Sequence, residues 1–122
     1  MKVEFTIPGE CESKERPRFN KISGTVRTAD KTRNFEEVVR LTYGRRHYFD
    51  DKPIVLTVNI YSKRPKKPKH IIPTKKDLDN MLKAVQDGLN GVAYKDDRYI
   101  SDIHTSKRFS DNARIEVTIE DL

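Results

Sequence analysis

The sequence predicts an α+β (mixed α/β) fold: a small sheet of about four strands, element order β-α-β-α-β-β, with the helices packed on one side. Three observations predict it. Apolar residues alternate with polar ones near both ends of the chain, two inner stretches carry apolar residues at helical spacing, and no internal repeat or low-complexity tract points to a second unit. With 122 residues, 34% hydrophobic and 36% charged, the chain suits one domain over residues 1–122 with a modest core, and burial against a second copy would add stability.

The first strand is "VEFTI", in which Val3, Phe5 and Ile7 alternate with polar residues until Pro8-Gly9 stops them. The stretch that follows, residues 10–30, has no apolar period and carries Lys14, Arg16 and Arg18 around Pro17, so it is expected to be a long connection. Asp30 fits an N-cap, after which Phe35, Val38, Val39 and Thr42 form one stripe of a helix that Gly44 ends. "PIVLTVNIY" has β-branched residues on both faces, as in a central strand.

Residues 62–76 hold seven Lys or Arg, three prolines and no acid, which predicts an extended basic loop. A second helix is expected over residues 80–89, with Leu78, Leu82, Val85 and Leu89 at offsets of an apolar stripe and Gly91 as its stop. After an Asp96-Asp97 turn, "RYISDIHTSKRF" has mixed strand character. In "ARIEVTIE", Ile115, Val117 and Ile119 alternate cleanly, and residues 110–113 read as a hairpin turn between these two strands.

Charge narrows the function. Twenty-five Lys plus Arg against nineteen Asp plus Glu give +6, a balance that favours polyanionic partners. One cysteine, Cys11, excludes an internal disulfide and a multi-thiolate zinc site. The three histidines show no ligand spacing. Glu4 and Pro8 interrupt any signal-peptide core and no run reaches membrane-spanning length, so a cytoplasmic protein with no membrane partner is expected, and 122 residues leave no room for a separate cofactor domain, so no small-molecule cofactor is expected.

Against this basic background, residues 75–97 concentrate five aspartates. If Asp77 to Asp79 is extended, the two carboxylates share a side while Leu78 turns to the core, and a cation between them relieves their repulsion. Asp79 also fits an ordinary N-cap. Lys83, four residues on, is either a routine acid-base pair with Asp79 or the group that holds a scissile phosphate. Asp87 falls on the same face, as part of a surface ladder. Asp96-Asp97 is unremarkable as a turn, yet in company it supplies the third carboxylate of an oxygen-only magnesium site. Such ions activate water and neutralise a leaving oxygen in phosphodiester hydrolysis. The basic segments, Lys14, Arg16, Arg18, Lys75 and Lys76, would then hold the phosphate backbone.

"KKDLDNMLKAVQDGL" followed by "VAYKDD" resembles the RusA family of Holliday junction resolvases, whose pattern is a basic pair, Asp-Leu-Asp-Asn, a lysine four after the second Asp, and Asp-Asp past the helix. The resemblance implies metal-binding carboxylates at Asp77, Asp79 and Asp97 and a catalytic lysine at Lys83, with Asp96 as a supporting neighbour. It further implies a homodimer that nicks four-way DNA junctions symmetrically in recombination and repair, with magnesium, or manganese as substitute, as cofactor. Arg98-Tyr99, Gln86 and the Lys14–Arg18 segment depart from the family pattern. The competing reading is a non-catalytic nucleic-acid binding module whose aspartates only cap and pair. Sugar-nucleotide transfer would need a larger domain, and the stacking aromatics of an RRM sheet are missing.

Overall fold

The computed structural model describes residues 1–14 and 24–122, and the side chains of 1–14 and 30–122. Its elements are β1 (Lys2–Pro8), α1 (Gly24–Tyr43), β2 (Ile54–Lys63), α2 (Leu78–Leu89), a 3-10 turn (Asp97–Tyr99), β3 (Ile100–Ser110) and β4 (Arg114–Asp121). This is the expected order of strands and helices. The four strands form one sheet in the order β1-β4-β2-β3, with β2 parallel to β3 and β4 antiparallel to both of its neighbours.

Connectivity explains why both helices share a face. A parallel neighbour cannot be reached by a tight turn, so β2 connects to β3 through a crossover that contains α2. β1 and β2 also run the same way, separated by β4, and α1 lies in that crossover. Both connections step in the same direction across the sheet, and the right-handed rule then puts both helices on one side.

The alternation read from the sequence builds the core beneath them. Three cross-strand rows, Val3–Ile119–Leu56, Phe5–Val117–Val58 and Ile7–Ile115–Ile60, lie in register and are buried. Phe35, Val39 and Tyr43 of α1 and Met81, Ala84, Val85 and Leu89 of α2 close the core from above.

Four local expectations are corrected. The first helix begins at Gly24, so Asp30 is an exposed residue within it and caps nothing. Its buried stripe is Thr32, Phe35, Val39 and Tyr43, whereas Val38 is 43% exposed. The stripe is one position out of phase because Tyr43 buries more surface than Thr42. The second helix starts at Leu78, which makes Asp77 its N-cap and puts Asp79 inside the first turn, so the extended Asp77–Asp79 arrangement does not occur. Residues 110–113 reverse the chain, but β3 and β4 are not partners: β2 lies between them and pairs with both. A turn signal reports reversal alone, and the better apolar partner for β4 is β2.

Candidate active site

The site is assembled on the outer face of α2 and the turn that follows it. Asp79, Lys83 and Asp87 are spaced four apart, so they stack along one face at intervals of about 6 Å. Gly91 adopts φ +85°, a left-handed conformation that ends the helix, and its N–H donates to the Tyr94 carbonyl at 2.7 Å. Ala93 and Tyr94 are fully buried, which pins the returning chain to the core. The Asp96 carboxylate then caps the 3-10 turn by accepting the Arg98 N–H at 3.2 Å. Hydrogen bonding with the neighbouring Asp97 carboxyl and with this N–H holds the Asp96 pKa below its ordinary value.

That anchoring delivers Asp97 to the helix. Lys83 Nζ donates to Asp97 Oδ2 at 2.7 Å and lies 3.2 Å from Asp87 Oδ1. The Asp97 hydrogen bond is the main cause of a raised Lys83 pKa, with Asp87 adding to it and partial burial opposing it. Lys83 is therefore a firmly protonated ammonium held between two carboxylates.

Asp87 is more than a rung of a surface ladder. Its side chain is only 18% exposed, and its second oxygen meets Lys14 Nζ at 3.0 Å. Lys14 in turn reaches Glu36 Oε1 of α1 at 2.9 Å, and these two acids, Glu36 first, raise its pKa. One continuous chain of charge, Glu36–Lys14–Asp87–Lys83–Asp97, thus ties α1, the segment after β1, α2 and the returning turn together. The sequence placed Asp87 only in a surface ladder and gave no sign of Glu36. The spacing of Asp87 after Lys83 was visible, but its partner Lys14 is distant in the chain.

Asp77 has extended backbone (φ −73°, ψ 137°) and makes no side-chain cap bond, and its carboxylate has no hydrogen bond or ion pair among the described residues. Asp79 Oδ1 accepts the N–H of Asn80 at 3.0 Å. Asp77, Asp79 and Asp97 are not brought together as they stand: no group of three or more His, Cys, Asp or Glu side chains converges as a metal site among the described residues. The oxygen-only donor set nevertheless suits a hard divalent ion, and the cation that Asp97 holds here is the Lys83 ammonium.

The basic residues divide. Lys76 Nζ donates to the Cys11 carbonyl at 2.9 Å and faces Glu12 Oε2 at 3.6 Å, while Lys75 has no partner among the described residues. Lys14 is committed to the network above. Arg16 and Arg18 lie outside the described residues. No helix among the described residues is long and apolar enough to cross a membrane.

Comparison with known proteins follows the same residues. The family signature described as "Endodeoxyribonuclease RusA" matches residues 8–120, nearly the whole chain. The chain belongs to the RusA family. It is also similar to the uncharacterized protein YqaN of Bacillus subtilis (strain 168), at 31% identity over 137 residues that cover 98% of this chain and 96% of that protein. RusA membership implies an endodeoxyribonuclease, an enzyme that cuts within DNA strands, and the aspartates and lysine of α2 and its following turn lie inside the matched region.

Proposed function

We propose that this RusA protein is a metal-dependent, structure-selective endonuclease that resolves four-way DNA junctions by paired symmetric nicks, acting in the cytoplasm as a homodimer in recombination and repair. The 2.7 Å contact of Lys83 with Asp97 supports this reading by joining the two halves of the acidic motif across the intervening chain. The observation that carries it against a role limited to capping and pairing is the N-cap aspartate, Asp77, whose carboxylate makes no cap bond and no ion pair among the described residues.

Asp77, Asp79 and Asp97 would hold magnesium or manganese, and the chemistry such an ion supplies is activation of water and neutralisation of the leaving oxygen. Lys83, kept protonated by its acidic neighbours, meets a non-bridging oxygen of the scissile phosphate and stabilises the charge that grows there. Asp87 orients that ammonium, and Lys75 contacts the flanking backbone. A two-fold dimer matches a two-fold junction and puts one such site on each of two strands.

The test is magnesium-dependent nicking of a synthetic four-way junction by the protein and by Asp77→Asn. Nicking is expected to disappear in the variant while junction binding persists. Unchanged nicking in the variant would reject the site. Tight binding with no nicking under any divalent ion would favour the non-catalytic binding module.

A further inference from the structure

The aspartate site leaves unexplained a hollow of about 640 Å³ beside the start of α2, enclosed by the basic segment after β2, the end of β3 and the first turns of the helix. Its floor is carbon. Phe109 of β3 and Met81 of α2 face it together with Ile72, and Pro65 and Pro73 stiffen the walls. Its rim is cationic: Lys67, Lys69 and Lys75 are exposed and make no hydrogen bond or ion pair among the described residues. The acid in the wall, Glu10, accepts the Lys63 N–H at 3.1 Å.

Such a hollow selects an amphipathic ligand, with a flat apolar face for the floor and an anion for the rim. Its volume is in the range of small-ligand sites. A nucleotide has both parts, since every base offers a π-face for an aromatic ring and carries a phosphate beside it. A base within a duplex is stacked and paired, so entry requires an unpaired one. The position is also informative. Lys75 stands two residues before Asp77, at most about 7 Å of extended chain away, so an occupant on the rim lies beside the proposed cleavage site.

We propose that this hollow takes up one unpaired nucleotide of the DNA strand flanking the cut, its base against Phe109 and Ile72 and its phosphate among Lys67, Lys69 and Lys75. This rests on the endonuclease reading for its biological role, and its test stands apart from cleavage. Binding of a short oligothymidylate is compared by fluorescence anisotropy, with chelator present, to binding of the same strand made abasic throughout. The abasic strand is expected to bind about tenfold more weakly, as loss of one base-aromatic stack gives.

Phe109→Ala should erase most of that difference. Because Phe109 is half-buried and its loss affects β3, Ile72→Ser, in the exposed segment, serves as the second variant and should reduce the difference while melting like the parent protein. Equal binding of the two strands by the parent protein overturns the proposal, and so does a base preference that both variants retain in full. Junction nicking measured alongside keeps the two readings apart. Nicking without base preference sinks this site alone, whereas base preference without nicking sinks the endonuclease reading and supports the nucleotide site.

Discussion

Replacing Gly88 with alanine would force α1 and α2 apart at the point where the charged network is anchored. An added Cβ would lie 2.7 Å from Val39 Cβ, 2.8 Å from Val39 Cγ1 and 3.0 Å from the Glu36 carbonyl oxygen. Carbon atoms pack at about 3.5–4.0 Å, so the helices must separate by about 1 Å. No side-chain rotation avoids this, because Val39 Cβ and the Glu36 carbonyl belong to the α1 backbone frame. Alanine gains about 1 kcal/mol of helix propensity over glycine, and overpacking a core costs about 1–3 kcal/mol. With two unyielding atoms in contact the upper half of that range applies, leaving a net loss of about 1–2 kcal/mol. For a chain of this size that lowers the melting temperature by about 4–8 °C, readable by circular dichroism at the helix band. Glu36 and Asp87 flank the contact, so junction nicking should fall even at temperatures where the variant is folded. A melting temperature equal to or above the parent's would refute the close-packing argument.

Other expected outcomes concern single charges. Asp87→Asn keeps the side-chain shape but removes the charge between Lys14 and Lys83. Single-turnover nicking should drop about 10- to 100-fold, the scale of an ångström-level misplacement, with junction affinity little changed, and parallel losses in both would reduce Asp87 to a binding role. Lys75→Ala should lower the slope of log affinity against log salt by about one. Lys76→Ala should leave that slope alone and lower the melting temperature instead, because its ammonium is bonded to the Cys11 carbonyl and Glu12; equal slope changes would contradict this division. Burial pushes the Cys11 thiol up to about 12, so its thiolate fraction stays small until the pH approaches that value. At pH 8 a disulfide reagent should modify the native protein about a thousandfold more slowly than the denatured one, with the native rate rising as pH rises; rapid native labelling would show that the thiol is accessible.

What the sequence determined on its own is whatever depends on neighbours within a few residues. The two-residue period of Val3, Phe5 and Ile7 and of Ile115, Val117 and Ile119 forces one face of each strand inward, and the spacing of Leu78 through Leu89 does the same for a helix. The stacking of Asp79, Lys83 and Asp87 was legible for the same reason, since residues four apart share one helix face, whereas Asp77 is the N-cap and lies off that face. Asp30 misled because an acidic side chain is equally at home at a helix start and on an exposed helical face. Residues 110–113 misled because a turn cannot say which strand fills the place beside it, a choice made by the apolar match of β2 to β4. Tertiary structure alone decided that Asp87 meets Lys14, that Lys76 is bound to the fold while Lys75 has no partner among the described residues, and that Gly88 lies against Val39. Each of these contacts joins segments far apart in the chain, and whether two such groups meet is set by how the helices pack on the sheet.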